Sequence, residues 1–335
     1  MKNGRIINLF ALILLTTLVP SFSSCLKDRQ VQSDPQPQNT DAKSVTFPEF
    51  NEKRAWNLCA AQVALGPRVP NTAAHAKGLE FIVAELKPFA DTIIKQSFTR
   101  SVYGRRWDLT NVIAQINPEN PQRILLGAHW DSRPRSDEDT NYSNYNKGVP
   151  AANDGGSGVA VLLELARVFH TQRPDVGIDL VFFDGEDIGY KTDGEFFCLG
   201  SRYFASNFPL PIRPRYGIIL DMVGDKEARF LKEQGSVDAA PDLVEKVWKL
   251  GRVHAPDYFI PEVGAGVTDD HRPLIEIGIP AIDIIDMELI GNQSPDPRRH
   301  YWHTQYDTMD NISERTLYSV AQVLLHLVYG SPFIQ

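Results

Sequence analysis

Apolar and polar residues follow two different periods along this chain, and these periods predict its helices and strands. Apolar residues three or four positions apart predict helices over 50–65, 72–86, 159–169, 201–206, 241–254 and 312–329, with a shorter helix that ends at 277. Alternating or continuous apolar stretches predict strands over 92–103, 109–116, 123–126, 180–183, 216–220 and 280–285. We expect the first three strands to pair in antiparallel fashion. Strands that alternate with helices predict an α/β fold, a three-layer α/β/α sandwich with a central mixed, mostly parallel, twisted sheet.

One apolar stretch ends abruptly at a group of carboxylates. Residues 180–183 read Leu-Val-Phe-Phe and are followed by Asp184, Glu186 and Asp187, with Gly185 among them. A buried parallel strand has this pattern, and its carboxyl end lies at the sheet edge where open α/β proteins hold their active sites. A strand followed by a solvated acidic turn would look the same, so this stretch has to be judged together with others.

Composition excludes some classes of protein. The chain has 335 residues, 42% of them hydrophobic, so it can bury a core large enough for one sizeable α/β domain or two smaller ones. Its formal net charge of -8 and the lack of a dense Lys/Arg patch argue against a protein that binds nucleic acid through the phosphate backbone. The sequence has no internal repeat and no sign of a second domain, and we expect a monomer.

The first residues predict export. A short basic segment precedes the apolar residues 6–19, which are too few to span a bilayer comfortably, and this combination is typical of a signal peptide. Small residues then precede Cys25 as in a bacterial lipobox, where the cysteine is lipidated, although Phe22 departs from the usual aliphatic residue. Residues 1–25 are therefore predicted to be an export signal of the lipoprotein type, with ordinary cleavage near Ser24 as the alternative. The protein would lie in the bacterial cell envelope, attached to a membrane only through the lipid.

Residues 26–44 are predicted to be a flexible linker, and residues 45–335 a single domain. Positions 30–42 are almost entirely polar and cannot repay the entropy lost on ordering. Within the domain, Cys59 and Cys198 allow at most one disulfide, and both could equally be free and buried.

A glycine-rich turn precedes the helix predicted over 159–169. Residues 151–158 read Ala-Ala-Asn-Asp-Gly-Gly-Ser-Gly and follow a polar loop over 132–149 that is long enough to be suspected of function. The turn lacks the GxxxxGK(S/T) pattern of a phosphate-binding loop, and Asp154 would repel an anion. Ser157 does not lie in the GxSxG turn of a serine hydrolase. We therefore interpret the glycines as allowing close backbone approach beside a metal-binding carboxylate.

Acidic and histidine residues gather at the predicted strand ends and in adjoining loops. They are His129, Asp131, Asp154, Glu186, Asp187, Asp221, Asp269, Asp270, His271 and His303. Oxygen and imidazole ligands without cysteine suit a catalytic zinc ion, which takes three protein ligands and keeps a fourth position open. Each residue alone could cap a turn or lie hydrogen-bonded in the core, but so many at separate strand ends favour a metal site.

These motifs resemble the zinc-dependent aminopeptidase superfamily in order and setting. The matching segments are His129-x-Asp131, Asn153-Asp154, Glu186-Asp187, Leu220-Asp221-Met222 and His303-Thr304. The resemblance covers nearly all of residues 50–330 and implies a zinc-exopeptidase-like fold. In the two-zinc members these places supply, in turn, a ligand of one metal, a bridging Asp, a general base beside a ligand of the other metal, a second Asp ligand and a final His.

Within that superfamily the chain is more similar to the glutaminyl-peptide cyclotransferases, or glutaminyl cyclases. Trp302 stands directly before the last histidine, and residues 268–271 read Thr-Asp-Asp-His where peptidases commonly have Ser-Asp-His. The resemblance implies one zinc ion held by Asp154, Asp187 and His303, with Asp187 in place of the Glu that is common in animal cyclases.

The same resemblance suggests roles for further residues. Glu186 would carry a proton from the substrate amine to the departing ammonia, and a pKa raised by burial would help it to do so. Asp221 and Asp269 would also be catalytic, and if they meet they would share a proton, which makes Asp221 a poor ligand for a second metal. The residues expected to contact the substrate are Trp302, Tyr190 and His129.

Together with the predicted export signal, the resemblance implies an exported acyltransferase that cyclises N-terminal glutaminyl residues of peptides or proteins to pyroglutamate and releases ammonia. The substrate's own α-amine attacks its side-chain amide, so no activated water is needed and one zinc ion suffices as a Lewis acid. The alternative is a two-zinc aminopeptidase in which Glu186 deprotonates a bridging water. A non-enzymatic envelope protein is the weakest hypothesis, because a binding module gains nothing from a general base beside an open metal position.

Overall fold

The computed structural model of the protein describes residues 45–191, 193–330, 332 and 333. The predicted export signal (residues 1–25, with the lipidation of Cys25) and the predicted linker (residues 26–44) lie outside the described residues. A compact unit begins at Val45 and contains the helices and strands given below. Within the described residues, no helix is both long enough and apolar enough to cross a membrane.

Helices and strands alternate along most of the described chain. The helices are α1 (Glu52–Ala64), α2 (Ala73–Leu86), α3 (Gly156–Thr171), α4 (Leu199–Ser206), α5 (Gln234–Ala239), α6 (Pro241–His254), α7 (His271–Glu276) and α8 (Glu314–Gly330). The strands are β1 (Thr92–Val102), β2 (Arg105–Ile116), β3 (Arg123–His129), β4 (Gly177–Phe183), β5 (Gly217–Asp221), β6 (Phe230–Lys232), β7 (Phe259–Val263) and β8 (Ala281–Ile285). Each helix and strand predicted from the sequence has a counterpart among them.

The first helices begin at residues that cap them. The side chain of Asn51 accepts a hydrogen bond from the backbone N–H of Arg54 at the start of α1. Thr72 does the same for His75 at the start of α2, as the sequence predicts. These bonds satisfy N–H groups that have no partner inside a helix, which is why each helix begins where it does.

The central sheet has the strand order β1-β2-β4-β3-β5-β8. The four strands β4, β3, β5 and β8 run parallel to one another. Strands β1 and β2 form an antiparallel edge, and β2 is antiparallel to β4. The prediction of a mixed, mostly parallel sheet is confirmed.

The antiparallel pairing predicted for the first three strands is wrong for β3. This strand lies between β4 and β5 and is parallel to both, with His129 opposite Phe183 and Gly127 opposite Ile219. All residues of β3 are buried, as expected for a parallel strand that is covered on both faces. The sequence did not reveal this because strands that follow one another along the chain need not be neighbours in the sheet.

Helices cover both faces of the sheet. Helices α1, α3, α6 and α8 join a large apolar cluster on one face, and α4 and α7 pack on the other through Phe204 and Leu274. Successive residues of β3 point to opposite faces, because Leu126 belongs to the first cluster and Leu125 to the second. The predicted three-layer α/β/α architecture is confirmed.

Two short strands and one short α-helix were not predicted from the sequence. Strands β6 and β7 pair in parallel as a small separate sheet, and helix α5 lies between them in the chain. A strand of three residues and a helix of six offer too few positions for a hydrophobic period to be recognised.

Both cysteines of the domain are free thiols. Cys59 in α1 and Cys198 before α4 are buried. Their sulfur atoms donate to different acceptors, the backbone oxygen of Ala152 at 3.1 Å and Oε1 of Glu186 at 3.4 Å. The disulfide that the sequence left open is not formed, so no cross-link between these two cysteines contributes to stability.

Candidate active site

The carboxyl ends of the parallel strands meet at one edge of the sheet and carry acidic and histidine residues. These residues are His129 at the end of β3, Glu186 and Asp187 after β4, Asp221 at the end of β5, Asp154 before α3, Asp269 before α7 and His303 before α8. All of them are buried. The fold thus brings together residues that are far apart in the sequence.

A glycine allows Asp154 to lie beside His129. Gly155 has a φ of +87°, and a Cβ at this position would lie 2.8 Å from Cε1 of His129. Glycine is therefore needed here both for the left-handed backbone and for the close approach, in line with the interpretation of the glycine-rich turn. The backbone N–H groups of Asn153 and Asp154 donate to the carboxylate of Asp307 at 2.8 and 3.1 Å, which holds the turn.

His303 has an unusual backbone conformation that its loop maintains. Its φ of +56° lies in the left-handed region, which costs a non-glycine residue on the order of 1 kcal/mol or more. In the same loop the hydroxyl of Tyr301 donates to Oδ2 of Asp225 at 2.6 Å and accepts from Nδ2 of Asn153 at 2.9 Å. These buried bonds hold the loop that carries His303.

One group of side chains has the spacing of a metal site. Nε2 of His303 lies 3.4 Å from Oδ2 of Asp154 and 3.4 Å from Oδ2 of Asp187, and the three ligand atoms all lie within 4.8 Å of one another. Oδ2 of Asp187 is buried without a hydrogen-bond partner in the described chain. A buried carboxylate oxygen is costly unless a cation completes its surroundings. Two carboxylates and an imidazole therefore fit the predicted zinc ion.

A second group of possible ligands shares Asp154. Nε2 of His129 lies 3.0 Å from Oδ1 of Asp154 and 3.3 Å from Oδ1 of Asp221. Burial lowers the pKa of His129, but its ion pairs with Asp131, Asp154 and Asp221 outweigh this effect and hold that pKa well above its usual value. Burial raises the pKa of Asp154, but its ion pairs with His129 and His303 bring that pKa below the usual range. The donors that a second metal would need are thus also close together.

Glu186 is a buried carboxyl group that lines the cavity next to these groups. Burial raises its pKa well above the usual value, and the charge of Asp187 adds to this effect, as the sequence analysis expected. Its backbone N–H donates to Oδ1 of Asp131 at 3.0 Å. A carboxyl group with a raised pKa can both accept and release a proton near neutral pH.

Asp221 and Asp269 line the same cavity. Burial raises the pKa of Asp221 to about 7, against the ion pair with His129, and the charges of Asp154 and Asp269 also raise it. The described chain contains no hydrogen bond between Asp221 and Asp269. Asp283 on β8, which the sequence analysis did not single out, is a second acid near Asp269, and its pKa is raised well above the usual value by burial and then by the charge of Asp269.

A cavity of about 280 Å³ opens onto these acids. Apolar and aromatic side chains from several loops form much of its wall: Phe197, Met222, Val267, Ile285, Ile290 and Trp302. The ring of Trp302 stacks on that of His303, as expected for a pocket wall beside a metal-binding histidine. The cavity is small for a peptide segment and sufficient for one amino-acid residue.

Two predicted substrate contacts need correction. Tyr190 does not line the cavity; its ring packs against Tyr103 with centroids 4.7 Å apart and lies under the guanidinium of Arg135 at 3.8 Å. His129 does not line the cavity either, because Asp154 and Asp221 surround its ring and it is 1% exposed. The sequence does not show the direction in which a side chain points when it belongs to an irregular loop, as Tyr190 does, or to a strand end, as His129 does.

Some residues around the site were missed by sequence reasoning. Arg133 lines the cavity and pairs with both Asp187 and Asp137. Both Arg133 and Asp137 belong to the polar loop 132–149, whose length was the signal that could have led to them. Asp184 after β4 is instead structural, since it lies 2.9 Å from Nε2 of His75.

Comparison with known proteins gives a family and several relatives. Residues 111–328 match peptidase family M28. The fold is similar to the crystal structure of a Zn-dependent exopeptidase from Parabacteroides distasonis, with 42% identity and a TM-score of 0.80 over 85% of this chain and 99% of that one. It is also similar to Tannerella forsythia glutaminyl cyclase, with 41% identity and a TM-score of 0.79 over 85% and 100% of the two chains. Glutaminyl-peptide cyclotransferase of Bos taurus is 26% identical over 267 residues, which are 70% of this chain and 68% of the relative.

Proposed function

We propose that this chain, which belongs to peptidase family M28, is a glutaminyl-peptide cyclotransferase that converts N-terminal glutaminyl residues of peptides to pyroglutamate and releases ammonia. The observation that carries the proposal is that the buried carboxyl of Glu186 and the ring of Trp302 share one small cavity with a zinc-ligand group. The similarity to the Tannerella cyclase along its whole length supports the same activity.

The cavity suits a glutaminyl residue that is folded back on its own amine. Trp302, Val267 and Ile285 offer apolar surface to the side-chain methylenes, and the carboxyl groups of Glu186 and Asp269 can accept hydrogen bonds from the α-amine. A substrate with an acylated amine lacks the nucleophile, and one without a side-chain amide lacks the leaving group. Residues beyond the first would extend out of the cavity, so many peptides with N-terminal glutamine should be accepted.

The reaction needs a bond from the α-amine nitrogen to the side-chain amide carbon and loss of the amide nitrogen as ammonia. Glu186 takes a proton from the attacking amine and returns it to the departing nitrogen, so no proton is gained or lost overall. Its raised pKa suits this exchange, because a carboxylate of ordinary pKa would hold the proton too weakly to deliver it. Holding amine and amide together in the cavity supplies much of the rate enhancement.

Asp154, Asp187 and His303 would hold one zinc ion, which as a Lewis acid polarises the amide carbonyl. Asp221 has a pKa of about 7 and is therefore partly protonated near neutral pH. A protonated Asp221 can donate a hydrogen bond to the substrate and is a weak ligand for a second ion. These assignments correspond to one zinc ion per chain.

The second candidate is a two-zinc aminopeptidase. The observation that favours it is the close approach of His129, Asp154 and Asp221, which gives a second ion its donors. In that enzyme Glu186 would deprotonate a water molecule in place of an amine. The similarity to a Zn-dependent exopeptidase is in line with this alternative.

Measurement of zinc content together with product distinguishes the two. One zinc per chain with ammonia released from a glutaminyl peptide supports the cyclase, and the same peptide with an acetylated amine should release none. Two zinc ions per chain, with free amino acids released from leucyl or alanyl amides, would reject it in favour of the peptidase.

We also propose that the protein is exported to the bacterial cell envelope as a monomer and is anchored through lipid on Cys25. This rests on the basic and apolar residues of the predicted signal and on the small residues before Cys25. Its substrates would then be peptides or proteins that reach the envelope, and not nucleic acids.

A further inference from the structure

Arg133 is a buried cation that holds two carboxylates near the metal-ligand group. It is 1% exposed. Its Nη1 donates to Oδ1 of Asp187 at 2.6 Å, and its Nε and Nη2 donate to the two carboxylate oxygens of Asp137, each at 2.6 Å. Such paired, charge-assisted bonds fix both carboxylates in direction as well as in position.

This contact leaves Asp187 with a single oxygen for a metal. Oδ1 is occupied by Arg133, whereas Oδ2 has no hydrogen-bond partner in the described chain and faces Nε2 of His303 at 3.4 Å. A carboxylate with both oxygens free can bind a cation through one or both of them. With Oδ1 taken, Asp187 can offer one oxygen only.

Asp137 acts on the third ligand of the group. Its Oδ1 lies 3.8 Å from Nδ1 of His303, which is too long for a hydrogen bond but close enough for electrostatic attraction. A negative charge on that side favours the imidazole tautomer with its hydrogen on Nδ1. The lone pair of Nε2 is then available to a metal.

We propose that Arg133 and Asp137 are positioning residues of the metal centre: Arg133 restricts Asp187 to one coordinating oxygen, and Asp137 sets the tautomer of His303. The inference rests on the ligand group assigned under the proposed function. By limiting the number of protein donors, the pair keeps a coordination position free for the substrate. It also gives the polar loop 132–149 a role that substrate contact alone does not explain.

Cobalt in place of zinc tests the restriction on Asp187, because its visible absorption weakens when the coordination number rises. The apoprotein of wild type and of Arg133→Met, each loaded with one equivalent of Co²⁺, would be compared. We expect weaker absorption in Arg133→Met, since Asp187 gains a second free oxygen. In chelator competition its zinc dissociation constant should rise about 10- to 100-fold, because Asp187 and Asp137 are no longer held in position and have to be ordered when the metal binds. Unchanged absorption and zinc affinity in folded Arg133→Met would overturn the inference.

Two further variants keep the inference testable if Arg133→Met does not fold. Arg133→Lys keeps the charge but has a single donor group, so we expect zinc affinity between those of wild type and Arg133→Met. Asp137→Asn keeps the shape but removes the charge that faces His303, so its zinc dissociation constant should also rise. Wild-type zinc affinity in both variants would contradict the inference even if Arg133→Met cannot be purified.

Arg135→Met is the matched control. Arg135 is the neighbouring buried cation. It donates to the backbone oxygens of Ile188 and Gly189 and its Nε lies 3.5 Å from Oδ2 of Asp137, but it makes no hydrogen bond to the Asp187 carboxylate, so it is a control for the restriction on Asp187. Its cobalt spectrum should match that of wild type, and the same spectral change as in Arg133→Met would attribute the effect to the loop and reject the inference. Because no substrate is used, failure of the cyclase assignment would be detected separately by the absence of ammonia release.

Discussion

Trp302 and His303 are stacked on each other, with ring centroids 3.5 Å apart and ring planes inclined by 21°. The two residues are adjacent in the chain, and His303 has a left-handed backbone conformation. One loop therefore supplies both a wall of the cavity and a ligand of the metal group. Under the proposed function, a substrate that packs against the indole would be held next to the position where its carbonyl is to be polarised.

Replacement of Trp302 by Ala should weaken the binding of glutaminyl substrates while leaving the metal in place. Loss of the indole surface, worth about 1.5–3 kcal/mol, corresponds to a KM that rises roughly 10- to 100-fold. Zinc content and the thermal midpoint should stay nearly the same, because the side chain is not fully buried. Trp302→Phe should recover much of the loss, and an unchanged KM in Trp302→Ala would remove this residue from the substrate pocket.

Zinc content should depend on Asp154, Asp187 and His303 but not on His129. Asp154→Ala, Asp187→Ala and His303→Ala should each lose zinc, because a site with three protein ligands has no spare donor. His129→Ala should retain one zinc per chain, as measured by elemental analysis of the purified protein. If wild type contains two ions and His129→Ala contains one, the aminopeptidase becomes the correct assignment.

Glu186→Gln should abolish the proton exchange without changing the shape of the site. We expect turnover of a glutaminyl peptide to fall by about 10²-fold or more, with zinc content unchanged. Glu195→Gln is the matched control, since this carboxylate is exposed in the same connecting segment and should retain wild-type turnover. Near-normal turnover in Glu186→Gln would transfer the role of base to Asp221 or Asp269.

The stacked pair His254 and His326 should make stability depend on pH. Their ring centroids are 3.5 Å apart. Burial lowers the pKa of both, and the charge of His254 lowers that of His326 further. A histidine whose pKa is lowered by folding stabilises the native state above its unfolded pKa of about 6.5 and loses that contribution as the pH falls through the folded value. The thermal midpoint of wild type should therefore drop more between about pH 7.5 and pH 5.5 than that of the double variant His254→Gln/His326→Gln, and equal drops would contradict this.

Lipidation of Cys25 predicts where the protein is found. Wild type should fractionate with membranes, and Cys25→Ser should either release the protein to the soluble envelope fraction or block processing. The mature N-terminus, determined by mass spectrometry, checks the cleavage site. Soluble wild-type protein with a terminus other than Cys25 would reject the lipid anchor but not export.

The fold was largely predictable from the sequence because the parallel strands are apolar runs that end sharply. The acids after Phe183 and at Asp221 were expected at one sheet edge, and the structure has them there. Pairing was less predictable, because β3 lies between two strands that follow it in the chain. No local pattern in the sequence indicates which strands will be the neighbours of β3 in the sheet.

The site was predictable where a motif marks a residue and unpredictable where only loop geometry does. Asp154, Asp187 and His303 occur in short recognisable motifs, and the structure brings them within ligand distance of one another. The supporting residue Arg133 and the misassigned Tyr190 lie in irregular loops, where the direction of a side chain depends on tertiary contacts.

The two buried free thiols can be used to measure local opening of the protein. Cys59 lies in the helical layer on one face of the sheet, and Cys198 directly precedes helix α4, which packs on the other face. A thiol reagent can reach either only when that part of the domain opens. The rate of alkylation at each cysteine, resolved by mass spectrometry, therefore measures the local free energy of opening on each side of the sheet without any engineered probe.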